Sequence, residues 1–162
     1  MEDNSQEPGA LATDAVVVRN MVESDLDAIV RIDAAAMGRA RRDYYRDRVA
    51  AAMRDSRIHA SLTAELDGMV VGFLMATLYY GEFGRPEPTA VIDSLGVLPG
   101  FKGKHVGRAL MRQFLMNASA LGVERVRTEV AWDDTELLGF FKRSGFALAG
   151  RLVLERTTET LR

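Results

Sequence analysis

Lys102, Lys104 and Arg108 stand among Gly100, Gly103 and Gly107 in the stretch VIDSLGVLPGFKGKHVGRAL, which runs from Val91 to Leu110. Cationic side chains beside a glycine-bearing backbone suit an anion, because glycine lets a phosphate approach peptide N–H groups while lysine and arginine add charge. The elements that must hold this loop are written on either side of it. Val91, Leu95, Val97 and Leu98 form a short apolar run interrupted by Asp93 and Ser94, the pattern of a mostly buried strand, and Pro99-Gly100 ends it. From about His105 onward, Val106, Leu110, Phe114, Ala118 and Leu121 recur at helical spacing. They predict an amphipathic helix whose first turn has unpaired N–H groups and partial positive charge. Strand, basic glycine loop and helix start together ask for a phosphorylated ligand.

Two phosphate motifs are excluded by spacing. A nucleoside-triphosphate loop, GxxxxGKS/T, fails because Leu98 stands where its first glycine belongs and His105 follows Lys104. The dinucleotide fingerprint GxGxxG fails because Gly100, Gly103 and Gly107 are too far apart. The stretch instead resembles the acyl-CoA-binding motif of the GNAT superfamily of N-acyltransferases, Gln/Arg-x-x-Gly-x-Gly/Ala after a strand ending Val-x-Pro. Val97-Leu98-Pro99 matches the strand end, Lys102 to Gly107 the loop, and Arg108-Ala109-Leu110 the helix start. Lysine replaces Gln/Arg, and His105 replaces the first signature glycine. Further on, Asp134 to Phe146 resembles the family's closing motif N-x-x-A-x-x-x-Y-x-x-x-G-F, with Asp134 for asparagine, Phe141 for tyrosine and a matching Gly145-Phe146.

The resemblance implies an acetyl-CoA-dependent N-acetyltransferase acting on a primary amine, of a small molecule or a protein amino group, by direct attack through a tetrahedral oxyanion. It implies that Leu95, Gly96 and Val97 pair with the pantetheine arm and that Val97 N–H meets the oxyanion. Lys102, Gly103, Lys104, His105, Val106, Gly107 and Arg108 would hold the diphosphate, with Asp134 and Phe141 beside the thiol end. An amine with a pKa near 10.4 must lose a proton before it attacks, and a carboxylate or a water chain near the thiol should receive it. Asp93 is the first candidate, Glu129 the second and Glu82 the third; each also reads as an ordinary structural or loop acid. Tyr44, Tyr80 and Glu82 are the residues assigned to the acceptor, although a solvated surface explains them as well. The tyrosine that protonates the departing thiolate is replaced by Phe141, leaving water, Tyr79 or Tyr80. That replacement, with His105, motivates an alternative: a CoA-binding sensor with weak catalysis.

The family fold is α/β, or α+β: a mixed, mostly antiparallel sheet of about seven strands flanked by about four helices. The chain can be parsed that way. Strands are expected at 15–18, 58–66, 69–80, 91–98 and 125–131, with two more between Ala147 and Thr157. Helices are expected from a capping box at Ser24-x-x-Asp27, over 39–53 with Tyr44, Arg48, Ala51 and Ala52 on one side, from His105, and near Asp134. Asp67-Gly68 predicts a two-residue hairpin turn, and Gly72 a bulge or a close packing contact.

With 162 residues and 48% hydrophobic content, one domain is expected over 14–162, behind a disordered tail at 1–13. A net charge of -2 and dispersed basic residues argue against nucleic acid. The absence of long apolar runs argues against a membrane span, and the acidic opening is unlike a signal peptide, so a cytoplasmic location is expected. There is no cysteine, and the two histidines, His59 and His105, make a zinc site improbable; both read as structural or surface residues. A homodimer is left open.

Overall fold

The computed structural model describes residues 16–54 and 60–158. The expected tail at 1–13, Ile58 and His59 lie outside those residues. The chain divides into two compact units after Glu129. In the first, strands β1 (Val17–Asn20), β2 (Leu62–Leu66), β3 (Met69–Tyr79), β4 (Thr89–Val97) and β5 (Arg125–Thr128) form one sheet in that order. Neighbours are antiparallel except β4 and β5, which are parallel. Helices α1 (Leu26–Met37), α2 (Arg42–Arg54) and α3 (Val106–Ala120) complete the unit.

Asp67 and Gly68 both take positive φ, 49° and 75°. This mirror-image turn matches the twist of the strands it joins, which explains why β2 and β3 meet there. Farther along β3, Gly72 fulfils both expectations. Val71 is an extra residue opposite β2, and a Cβ on Gly72 would stand 2.7 Å from Val106 Cγ1 and 3.2 Å from Leu110 Cδ1. The missing methyl therefore lets α3 lie close against the sheet. On the opposite face α1 and α2 cover Phe73 and Met75, forming a core with Ile29, Ile32, Tyr45 and Val49.

Two local expectations change. The box at Ser24 does not form; a short turn over Glu23–Asp25 precedes α1 instead. Asp25 Oδ2 accepts from Val22 N–H at 2.8 Å, and Arg19 donates to both of its oxygens, at 2.8 and 2.7 Å. Its carboxylate is thereby committed to the turn. The buried side of α2 is Tyr45 and Val49, while Tyr44 is 45% exposed. Tyr45 can be buried because its hydroxyl donates to Asp33 Oδ1 at 3.0 Å, beside Arg41 donating to both Asp33 oxygens. Burial and that carboxylate push the Tyr45 hydroxyl up to about 12.

In the second unit, α4 (Thr135–Arg143) is capped by Asp134, whose Oδ1 accepts from Leu137 N–H at 3.0 Å. Its C-terminus closes with Phe146 N–H donating to Phe141 C=O at 3.0 Å, and the two rings meet edge-on with centroids 5.0 Å apart. The sheet has five strands among the described residues instead of about seven, because 147–158 forms none. Leu148, Leu152 and Leu154 are exposed there. Alternating apolar residues make a strand only with a partner to complete the ladder.

The two buried carboxylates predict an acid limb of stability. Hydrogen bonds from Arg41 hold the Asp33 carboxyl below its ordinary value against opposing burial. At Asp25 burial alone would raise the carboxyl, but Arg19 and Val22 N–H outweigh it and lower it. A lowered carboxyl stabilises the fold fully above its unfolded value, near pH 4, and less as pH falls through the folded one. Asp33→Asn should cost about 2 kcal/mol at pH 7 and flatten that limb in urea midpoints measured against pH.

Candidate functional site

β4 has a partner on both sides only in its first part. The parallel ladder with β5 runs from Thr89↔Arg125 to Ile92↔Thr128, where Thr128 Oγ1 donates to Ile92 C=O at 3.0 Å. β4 itself continues to Val97, still paired with β3 through Gly72↔Val97. Within that second ladder Ala76 faces Ile92 and Met75 faces Ser94, so Asp93 is an extra residue, a bulge. Leu98 N–H donates to Val71 C=O at 2.8 Å. Counting back from that bonded pair, Gly96 and Ser94 turn their backbone groups toward β3, and Val97 and Leu95 turn theirs away. Leu95 and Val97 thus offer main-chain N–H and C=O groups along the edge that β5 has left.

The bulge also redirects side chains. On a regular strand Asp93 and Ser94 would point to opposite faces. Here both reach the side covered by α2. Asp93 Oδ2 accepts from Thr77 Oγ1 at 2.8 Å and from Arg48 Nη2 at 2.6 Å, while the Ser94 hydroxyl lies within reach of the Tyr45 oxygen. The Asp93 side chain is 21% exposed. Arg48 and Thr77 gave no sign of this role in the sequence. The bulge had one: two adjacent polar residues interrupting an apolar run.

Beyond Val97 the chain makes tight turns, with Phe101 N–H donating to Leu98 C=O and Lys104 N–H to Phe101 C=O. His105 follows in the left-handed conformation, φ 62° and ψ 14°, with its side chain exposed. The first bond of α3 is Ala109 N–H to His105 C=O at 2.9 Å. The N–H groups of Val106, Gly107 and Arg108 therefore have no acceptor within the helix. Lys102, Lys104 and Arg108 are exposed around them, the Lys104 ammonium 5.0 Å from the centre of the Phe101 ring. Three helix-end donors and three cations are a donor set that fits a diphosphate.

The remaining candidates are dispersed. Tyr44 lies beside Arg48, whose guanidinium is 5.9 Å from its ring centre. Glu82 accepts from Arg127 on β5, and that guanidinium also lies over Phe83. Tyr80, just past β3, is 66% exposed, and Glu129, just past β5, is also exposed. Asp134 and Phe141 belong to the second unit, one as a helix cap and the other buried among Phe140 and Phe146. A cleft of about 600 Å³, lined from β1, β2 and α3, lies toward the opposite edge of the sheet from the parted strands.

A family model described as acetyltransferase (GNAT) family matches residues 26–146. A mycothiol acetyltransferase from Propionibacterium freudenreichii subsp. shermanii is 32% identical over 134 residues, 78% of this chain, which spans only 41% of that relative's length. Among solved structures, the aminoglycoside N-acetyltransferase AAC(6')-Iy in complex with CoA superposes with a TM-score of 0.73 at 17% identity, covering 88% of this chain and 94% of the other. Ard1 from Thermoplasma volcanium superposes with a TM-score of 0.70 at 25% identity, covering 84% and 85%.

The left-handed backbone at His105 carries a steric cost of about 1–2 kcal/mol that glycine avoids. Replacing it, His105→Gly, should raise the thermal midpoint by about 3 °C in a melting experiment.

Proposed function

The chain belongs to the acetyltransferase (GNAT) family, and from that premise we propose that it transfers the acetyl group of acetyl-CoA to a primary amine. The observation that carries the proposal is the parting of β4 from β5 beyond Ile92, with an anion-ready helix start immediately downstream. The N–H groups of Val106, Gly107 and Arg108, with the loop from Lys102 to His105, would hold the diphosphate. Leu95 to Val97 would pair with the amide-bearing arm as a missing neighbouring strand does.

Bound acetyl-CoA supplies a thioester, whose carbonyl carbon accepts the amine as the C–N bond forms and the C–S bond breaks. The work of this chain is orientation and proton handling. Asp93, the first residue of β4 past the β5 ladder, receives the proton that an ammonium must lose, a step worth roughly 10²–10⁴ in rate. Val97 N–H offers a fixed donor to the carbonyl oxygen as negative charge gathers there. Phe141 has no proton to return, but a thiol with a pKa near 8.5 can leave as thiolate. Relatives named for mycothiol and for aminoglycosides favour a small-molecule acceptor. No helix among the described residues is long and apolar enough to cross a membrane, and we assign the reaction to the cytoplasm.

Release of CoA thiol across a panel of amines tests the proposal directly. Binding of CoA with no release for any amine would favour the sensor reading. Gly107→Glu should abolish CoA binding in calorimetry while leaving the far-UV dichroism unchanged, because bulk and negative charge would occupy the diphosphate site. Asp93→Asn should keep CoA affinity but lower kcat about 100-fold or more and change the pH–rate profile, which an uninvolved carboxylate would leave as it was.

A further inference from the structure

The surroundings of Asp93 bear on which amine is taken, given the acetyl-transfer reading above. Arg48 and Thr77, the two side chains that hold Asp93, both line a cavity of about 240 Å³ between α2 and β3. Ala51, Ala52 and Ser61 contribute to its wall, and among the described residues Arg48 is the only ionisable one in the lining. The Arg48 Nε is buried and has no hydrogen-bond partner among the described residues. An orphaned buried N–H on a guanidinium is costly, and an anionic oxygen is the acceptor that best offsets it.

We propose that the acceptor is a small amino-carboxylate, a molecule whose free carboxylate lies a few bonds from its primary amine. Arg48 takes the carboxylate and Asp93 the amine. The Arg48–Asp93 ion pair is the complement of such a zwitterion, a cation and an anion side by side. A polyamine meets repulsion from Arg48, and a peptide N-terminus has its α-carboxylate converted to an amide, which carries no charge for Arg48 to pair with. The cavity is also smaller than the ~300–1,000 Å³ typical of pockets for larger ligands. Arg48 is thus a specificity-determining residue on α2.

Matched pairs test this: amino acids of varied side chain, each against its methyl ester and its decarboxylated amine. Their binding to the CoA-saturated protein is measured by calorimetry and their turnover by thiol release. The carboxylate-bearing member should bind at least about tenfold tighter and show a similar gain in kcat/KM. Arg48→Met should erase that preference, and Arg48→Lys should retain part of it, with CoA affinity reporting that each variant is folded. Equal binding within pairs, or no binding by any amino-carboxylate, overturns the inference. Thiol release with carboxylate-free amines alone overturns it while leaving acetyl transfer standing. Failure of the wild-type protein to bind CoA removes both.

Discussion

A strand keeps two neighbours only while its backbone groups alternate in step with both, and the additional residue at Asp93 puts β4 out of step where its pairing with β5 ends. Past that point the strand has one partner instead of two. Leu95 and Val97 are left with main-chain groups that a ligand can use, at no expense to the fold, because the pairing with β3 continues to Val97. The same extra residue turns a carboxylate and a hydroxyl onto one face of the sheet. One departure from regular pairing thus supplies both an edge to bind along and a polar pair beside it.

The helix start is positioned by packing, not by its own polar groups. Val106 and Leu110 press on Gly72, and a methyl there would push α3 outward together with the N–H groups of its first turn. On the opposite face the Asp33, Arg41 and Tyr45 cluster ties α1 to α2. These contacts are all within the first unit, so the first turn of α3, the open edge of β4 and the Asp93 carboxylate share one scaffold.

Much of this was legible in the residues. Asp67-Gly68 specifies its turn through backbone conformations that few other dipeptides accept, and the spacing from Val106 to Ala118 gives the buried side of α3 directly, whereas Leu121, the last of that series, lies past the helix end and is exposed. Tertiary contacts decided the rest. Neither Tyr44 nor Tyr45 looks more buried as a residue; the partner waiting at Asp33 chooses Tyr45. The expected box at Ser24 and Asp27 gives way to a turn held by their neighbour Asp25, which Arg19 and the Val22 N–H bind from outside the helix. The final apolar stretch reads as strand, yet a strand requires a neighbour, and 147–158 has none among the described residues. The position of Asp93 could be proposed from its motif, but its links to Arg48 and Thr77 join segments far apart in sequence, and no local pattern records them.

Tyr45 and Arg48 lie one turn apart on α2 and reach the two successive residues of the bulge, Ser94 and Asp93. The helix that roofs the cavity therefore also grips the distortion beneath it. A substitution on that side of α2 that reshaped the cavity would also loosen the hold on Asp93 and Ser94.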